Sequence, residues 1–363
     1  MIQVKTNLNS IHAYTTPWAG LDRSQYLRLD LNESTQPIPD QAIARMMKFI
    51  SQVGVQCYPE YQGFIKKLSS YCGVAENWLL ATNGSDQGID IVLRAFLSPG
   101  DEMVIARPEF AMFGNIAQLL EARIAGVPYT TEFLFPYEKF HEGISQATRL
   151  IVIINPNNPT GTIVSLEYIE WLLQRFPNLP ILVDEAYYEY TGSTAMEFMR
   201  RHDNLIILRT FSKAFAMAGL RLGYVMARPE LITHFEKIRG PFAVNSLAVE
   251  AATVQIEYLE KMRAHVDEIM KIAKPFTKKF LAAHNIKFFD GAANFLLITM
   301  PNINDMVEHL KSNRILVRPL HGTGLDGLIR MGIGTLDEMR LVEKAIASFH
   351  NSTLKFCKNS LGC

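Results

Sequence analysis

Several features that would define other classes of protein are missing from this 363-residue sequence. Its four cysteines form no C-x-x-C pair and have no histidine at a metal-ligand spacing, which predicts reduced thiols and neither a disulfide framework nor a metal site. No stretch reaches the ~18–20 apolar residues that a membrane-spanning helix needs, and the first ten residues show no apolar signal core. These absences predict a cytoplasmic globular protein.

Charge and motif content exclude two further classes. Lysine plus arginine equal aspartate plus glutamate at 36 each, so there is no electrostatic reason to expect nucleic acid or a membrane surface as a partner. No G-x-G-x-x-G motif follows an early strand, which argues against a dinucleotide-binding dehydrogenase. The length is sufficient for two domains.

What is present, from about residue 78, is an alternation of short apolar runs and longer amphipathic stretches. The runs predict strands at 78–82, 103–106, 150–154, 181–183, 205–208 and 222–226. The stretches predict helices at 86–96, 110–121, 166–176 and 214–218. Strands that are apolar throughout and separated by helices predict an α/β fold, with a mostly parallel central sheet covered by helices on both faces.

The pattern changes after about residue 240. Residues 248–285 predict one or two long helices, and strand-like pieces follow at 294–299, 315–319 and 328–333. A final helix is expected at 336–350, with a loosely ordered tail at 351–363. We therefore predict a large domain over 33–240 and a smaller α/β domain formed by residues 1–32 and 241–363.

Polar residues follow the ends of several predicted strands. They are Ser85 and Asp86, Asn158, Asp184 and Tyr187, and Ser212 and Lys213. Ligands of open α/β sheets bind beyond the carboxyl ends of the strands, so these residues are expected to form one site.

The run 210–224 (TFSKAFAMAGLRLGY) is the most informative segment of the chain. It places Lys213 beside Ser212 and eight residues before Arg221. A lysine in that setting suits an amine that forms a Schiff base with a phosphorylated aldehyde cofactor. Two upstream segments, 155–161 (NPNNPTG) and 183–187 (VDEAY), complete the set.

Together these segments resemble the fold-type I pyridoxal-phosphate aminotransferases, and most closely the histidinol-phosphate aminotransferase branch. Asp184 comes 26 residues after Asn158, and Lys213 another 29 residues later, in the family's order. The resemblance covers roughly residues 26–345. It implies pyridoxal 5'-phosphate as cofactor, an amino donor and a 2-oxo acid as substrates, and a homodimer.

The chemistry of that cofactor gives each residue an expected role. Asp184 would keep the ring nitrogen protonated, Asn158 and Tyr187 would bind the phenolate oxygen, and Lys213 would be the general base. The phosphate would be bound by Ser85, Asp86, Thr210, Ser212 and Arg221. Phe110 would stack on the ring, where the family usually has a tyrosine. Tyr58 matches a tyrosine that reaches the cofactor phosphate of the partner subunit.

The substrate is the least determined part of the resemblance. Arg330 matches the family arginine for the acidic end of the substrate, Arg318 a second anion-binding arginine, and Asn32, in an Asn-Glu motif, a residue near the substrate. Trp18 stands where the histidinol-phosphate branch usually has a phosphate-binding tyrosine, a role that Tyr14 could take over. Histidinol phosphate with 2-oxoglutarate is the favoured substrate pair. An aromatic aminotransferase and a lyase resembling threonine-phosphate decarboxylase remain alternatives, and a non-catalytic binding protein is disfavoured.

Overall fold

The computed structural model describes residues 2–13, 15, 17–322 and 324–360, with side chains as far as Phe349. Tyr14 and residues 361–363 of the predicted tail therefore lie outside the described residues. No helix in the described ranges is long and apolar enough to cross a membrane.

Most of the strands belong to one seven-stranded sheet. The strands in chain order are β1 (Leu27–Arg28), β2 (Leu79–Thr82), β3 (Glu102–Arg107), β4 (Arg123–Pro128), β5 (Thr148–Ile154), β6 (Ile181–Asp184), β7 (Leu205–Thr210), β8 (Gly223–Met226), β9 (Lys287–Phe289), β10 (Phe295–Thr299), β11 (Ile315–Leu316), β12 (Arg318–Pro319) and β13 (Ile329–Gly332). The large sheet has the order β2-β8-β7-β6-β5-β3-β4, in which β8 is antiparallel to both of its neighbours and the other adjacent pairs are parallel.

Helices cover both faces of this sheet. The helices are α1 (Asp40–Gln52), α2 (Gln62–Cys72), α3 (Gly84–Phe96), α4 (Ala111–Leu119), α5 (Tyr137–Glu142), α6 (Leu166–Arg175), α7 (Tyr188–Thr191), α8 (Pro229–Ile238), α9 (Ser246–Glu257), α10 (Leu259–Asp267), α11 (Lys274–Ala283), α12 (Ile303–Ser312) and α13 (Leu336–Ser360). Successive residues of β6 belong to different cores, since Val183 packs in one buried cluster and Leu182 in the other. A strand buried on both faces has no polar positions, which is why these strands read as continuous apolar runs.

The fold class predicted from the sequence is confirmed, and the six strands predicted for the central sheet are all present. The edge strand β4 was missed because most of its residues are at least partly exposed, so it lacks an apolar run. The helix predicted at 214–218 is wrong. Ala216 and Arg221 have left-handed backbone conformations, with φ of 57° and 55°, and the segment forms turns and a short 3-10 helix.

The C-terminal half departs from prediction in two further ways. The expected one or two helices over 248–285 are α9, α10 and α11, with a π-helical turn at Glu268–Ala273. The final helix continues to Ser360, so the loosely ordered tail predicted from residue 351 is wrong as far as that residue.

A second, antiparallel sheet has the order β12-β13-β10-β9. Beside it the N-terminal strand β1 pairs in parallel with β11, which joins the beginning of the chain to its C-terminal part. The predicted domain boundaries at residues 33 and 240 stay a prediction.

The directions of the strands place several strand ends next to one another at one edge of the large sheet. Asp184 and Thr210 are the last residues of β6 and β7. Gly223, the first residue of β8, pairs with Thr210 on one side and with Thr82, the last residue of β2, on the other. The carboxyl ends of β2, β6 and β7 therefore meet, and α3 begins at this edge.

Candidate active site

A cavity of about 400 Å³ opens at this edge of the sheet. Ten residues predicted for the site line it: Ser85, Asp86, Phe110, Asn158, Asp184, Tyr187, Thr210, Ser212, Lys213 and Arg221. Six others complete the wall: Leu31, Glu33, Ile154, Ala186, Ala218 and Gly219. Residues that are distant in sequence and follow different strands therefore meet in one cavity, as expected from the ends of those strands.

Lys213 lies half-buried in this cavity with its amine anchored on one side. The Nζ atom donates a hydrogen bond to the carbonyl oxygen of Leu31 at 2.8 Å. Burial lowers the pKa of Lys213 to about 8, and the nearby positive charges of Arg330 and Arg221 act in the same direction. A pKa in that range leaves a substantial share of the amine neutral near pH 8, as nucleophilic attack on an aldehyde requires.

Asp184 is buried at the end of β6, with 3% of its surface exposed. Its Oδ1 accepts a hydrogen bond from the backbone N–H of Ala186 at 3.0 Å. Burial raises the pKa of Asp184 to about 7, and the nearby carboxylates of Asp86 and Glu185 add to the rise. A buried carboxylate of this kind is stabilised by a cationic partner, so the position suits a protonated ring nitrogen.

The opposite end of the cavity is built for an anion. The guanidinium of Arg221 donates from Nη2 to Asp86 Oδ2 at 2.9 Å and from Nη1 to Ser212 Oγ at 3.3 Å. The Ser212 N–H donates to Thr210 Oγ1 at 3.1 Å. These groups and the N-terminus of the 13-residue helix α3 meet at the cavity. A helix N-terminus with hydroxyls and a guanidinium fits a phosphate group.

Gly84, the first residue of α3, shows how closely this end is packed. It has φ of +73°, and a Cβ added there would lie 2.4 Å from Arg221 Nη2. Only glycine combines that backbone conformation with room for the guanidinium.

Asn32 and Arg330 do not line the cavity themselves but contact residues that do. The Asn32 Nδ2 donates to the Tyr187 hydroxyl at 2.9 Å. The buried Arg330 donates from Nη1 to Asn158 Oδ1 and from Nη2 to the Asp30 carbonyl oxygen, the latter at 2.8 Å. Both predicted substrate residues are therefore coupled to the residues that would bind the cofactor ring.

The remaining predicted residues lie farther away. Arg318 is the register partner of Arg330 across β12 and β13, and its Nη2 donates to the Thr15 carbonyl oxygen at 3.2 Å. The Trp18 indole N–H donates to the Val317 carbonyl oxygen at 3.2 Å. Among the described residues, neither of these nor Tyr58 belongs to the cavity wall.

Six residues of the wall were not predicted as site residues, and two of them, Glu33 and Leu31, make contacts within the site. Glu33 lines the cavity, and its Oε2 accepts from Arg23 Nη2 at 2.6 Å. The position of Glu33 next to Asn32 in the Asn-Glu motif was the sequence feature that could have predicted it as a site residue. The carbonyl oxygen of Leu31, which binds Lys213, had no signal, because any residue type supplies a backbone acceptor.

Comparison with known proteins identifies the class to which this fold and site belong. The family described as aminotransferase class I and II matches residues 24–347. The chain therefore belongs to this family and is an aminotransferase that uses pyridoxal 5'-phosphate.

Similar proteins include several histidinol-phosphate aminotransferases. The chain is 34% identical over 331 residues to the histidinol-phosphate aminotransferase of Dehalococcoides mccartyi strain CBDB1, covering 88% of this chain and 89% of the relative. It is 30% identical over 316 residues to that of Caldanaerobacter subterraneus, covering 85% and 89%. Among solved structures, the histidinol-phosphate aminotransferase of Sinorhizobium meliloti in complex with pyridoxal-5'-phosphate gives a TM-score of 0.86 at 21% identity, covering 96% of this chain and 99% of that chain.

Proposed function

We propose that this aminotransferase moves the amino group of histidinol phosphate to 2-oxoglutarate. The observation that carries the proposal is the register pairing of Arg318 with Arg330. Directly paired residues of antiparallel strands have their side chains on the same face, and Arg330 already reaches the cavity-lining Asn158. Two guanidinium groups suit a phosphate dianion better than a single carboxylate. The names of the similar proteins support the same substrate.

The cavity residues fit the cofactor, and we propose roles for them on that basis. Pyridoxal 5'-phosphate supplies an aldehyde that bonds to amines and a protonated ring that withdraws electrons. Asp184 would keep the proton on the ring nitrogen, and the positive charge there would stabilise the buried carboxylate. Lys213 would bind the aldehyde, and its neutral amine would be the base that takes up the proton at the substrate carbon.

The other cofactor contacts follow from position. Ser85, Thr210, Ser212 and Arg221 would bind the phosphate, with Asp86 orienting Arg221 through their ion pair. Asn158 and Tyr187 would donate to the ring oxygen. Phe110, at the beginning of α4 and on the cavity wall, would cover one face of the ring.

An aromatic amino acid aminotransferase is the second candidate, and it rested on Trp18 as an apolar substrate contact. The contacts of the Trp18 indole favour this candidate less, because its N–H donates to the Val317 carbonyl oxygen and Lys311 Nζ lies over its ring, 5.0 Å from the centroid. We therefore give the paired arginines more weight than Trp18.

Relative rates with three candidate substrates test the assignment. We expect kcat/KM for histidinol phosphate to exceed that for phenylalanine at least about tenfold, or roughly 1.4 kcal/mol of transition-state discrimination. Arg318→Ala should remove most of this preference and leave phenylalanine turnover nearly unchanged. Arg201→Ala, which removes an exposed arginine paired with Glu170, is the control.

Each other outcome selects an alternative. A higher kcat/KM for phenylalanine or tyrosine in the unmodified enzyme would establish the aromatic aminotransferase. Release of carbon dioxide from threonine phosphate would establish the lyase.

We also propose that the enzyme is a homodimer in which Tyr58 completes the partner's phosphate site. Tyr58 is 74% exposed, stacks on the half-exposed Phe242 at 4.1 Å, and does not line the cavity of its own chain. Ile43, Met47 and Ile50 of α1 are also exposed. Apolar groups exposed in this way are typical of a surface that binds a protein.

Mixing two inactive variants tests the shared site. Lys213→Ala and Tyr58→Ala proteins should form heterodimers in which one site has both residues, so activity should return on mixing. Full activity in an isolated monomer would refute the proposal.

Location and partners complete the proposal. We propose a cytoplasmic enzyme with small-molecule substrates and no nucleic-acid or membrane partner, since its formal net charge is zero. Cell fractionation with activity measurements tests the location.

A further inference from the structure

Residues 30–33 form a short stretch that we call the site segment. All four of its residues contact the active site. The contacts in chain order are the Asp30 carbonyl oxygen with Arg330 Nη2 at 2.8 Å, the Leu31 carbonyl oxygen with Lys213 Nζ at 2.8 Å, the Asn32 Nδ2 with the Tyr187 hydroxyl at 2.9 Å, and Glu33 with the cavity itself. The position of this short segment therefore affects the nucleophilic lysine and the substrate arginine together.

The site segment has no helix or strand to hold its shape. Asn32 has a left-handed backbone conformation with φ of 54°, which for a residue other than glycine must be maintained by its surroundings. The preceding Leu29 is tied to the sheets by backbone hydrogen bonds with Leu316 and Gly332, at 2.9 and 2.8 Å. The shape beyond that anchor depends on side-chain contacts.

Arg23 makes a contact that spans the segment. Its Nη2 donates to Asp30 Oδ1 at 2.8 Å and to Glu33 Oε2 at 2.6 Å, so one guanidinium binds the first and last residues. The Asp30 side chain is completely buried, and those of Arg23 and Glu33 are 22% and 19% exposed. Ion pairs this far from solvent are weakly screened, and a buried carboxylate that loses its partner is strongly destabilising.

We propose that Arg23 is a positioning residue of this enzyme: by binding Asp30 and Glu33 together, it fixes the backbone that holds Lys213 and Arg330. The proposal rests on the roles proposed above for those two residues. It predicts that Arg23 affects the pKa of the Lys213 amine and the binding of substrate by Arg330, although Arg23 itself contacts neither cofactor nor substrate.

The charges around Lys213 set the direction of the effect. Glu33 and Asp86 raise the pKa of Lys213, Arg330 and Arg221 lower it, and Asp184 is a further nearby carboxylate. Without Arg23, the Glu33 carboxylate loses its bound cation, and its attraction for the ammonium grows. The pKa of Lys213 should then rise, so a smaller share of the amine is neutral at a given pH.

Cofactor uptake by the apoenzyme measures this without turnover. Only the neutral amine attacks the aldehyde, so the rate of pyridoxal 5'-phosphate uptake against pH reports the pKa of Lys213. In Arg23→Met we expect the midpoint of that profile to move up by at least about half a pH unit. In the reconstituted enzyme, KM for the amino donor should rise about fivefold or more, with a smaller change in kcat, because Arg330 loses its fixed support.

Matched variants separate positioning from general stability. Arg94→Met removes a surface arginine paired with Asp90 and should leave the uptake profile and KM unchanged. Arg23→Lys keeps the charge and should recover part of both effects. Glu33→Gln removes the charge that raises the pKa of Lys213, so its midpoint should move in the opposite direction, downward. This variant tests the same network if Arg23→Met fails to fold.

Two results would overturn the proposal. One is a folded Arg23→Met protein with an unchanged uptake profile and donor KM. The other is an upward shift of the midpoint in Glu33→Gln. A failure of the proposed function would look different, because Lys213→Ala would then take up the cofactor with the same pH profile as the unmodified apoenzyme.

Discussion

Replacement of Asp184 with asparagine should make the enzyme less active and its apoprotein more stable. The carboxylate is 3% exposed at the end of β6, and burial raises its pKa from 3.8 to about 7. Since the folded-state pKa lies above the unfolded-state value, the ionised group destabilises the apoprotein. The destabilisation is absent when both states are protonated, grows as the pH rises from about 4 to about 7, and is complete above that range.

The shift sets the size of both effects. A rise from 3.8 to about 7 is roughly three pKa units, or about 4 kcal/mol, as an upper limit for the gain in apoprotein stability at pH 8. Solvent in the cavity would screen part of that, so we expect about 2–4 kcal/mol. Asparagine can still accept the Ala186 N–H hydrogen bond. In the holoenzyme the same charge would hold the ring proton, so its loss should lower kcat by about three orders of magnitude.

The change in apoprotein stability is measured by thermal unfolding at one protein concentration, at pH 8 and near pH 4. Asp184→Asn should have the higher midpoint at pH 8, and the difference should narrow toward pH 4. Asp203→Asn, which removes an exposed partner of Arg228, should change the free energy of unfolding by less than about 1 kcal/mol. A less stable apoprotein at pH 8, or a variant with nearly unchanged kcat, would refute the reasoning.

Three further predictions concern the cofactor site and the core. Borohydride should fix the cofactor covalently to Lys213, as peptide mapping would show, and Lys213→Ala should have no transaminase activity; an adduct on another lysine would contradict the assignment. In Gly223→Ala the added Cβ would lie 2.6 Å from a backbone nitrogen in the first turn of α3, so cofactor affinity by equilibrium dialysis should fall at least about tenfold. Gly240→Ala meets no atom within 4 Å and should bind normally. Arg209→Met would leave the fully buried Glu185 without its 2.8 Å ion pair, and the free energy of unfolding from urea titration should fall by about 3–5 kcal/mol, with partial recovery on adding Glu185→Gln.

Much of the cavity wall could be predicted because it depends on strand ends. Each central strand is buried on both faces, so its apolar run ends where polar residues such as Asp184 begin. Parallel strands place those ends at one edge of the sheet, which brings Asn158, Asp184 and Lys213 to one cavity. The helix predicted at 214–218 failed for a local reason, since a helical spacing of apolar residues does not report a left-handed residue such as Ala216.

The sequence by itself determined the α/β class, the family and ten of the residues that line the cavity, because these follow from burial periodicity and from motifs of fixed spacing. Only the tertiary structure decided which residues support them. The contacts of Asp30 with Arg330 and of Asn32 with Tyr187 join residues 300 and 155 positions apart. The fork of Arg23 on Asp30 and Glu33 lies in a segment with no helix or strand pattern, and the register of Arg318 against Arg330 depends on how two strands pair. Backbone acceptors such as the Leu31 carbonyl oxygen leave no trace in residue type. The spacing of apolar residues along the chain reflects only local burial. The contacts that position the site residues form only when the sheets have assembled.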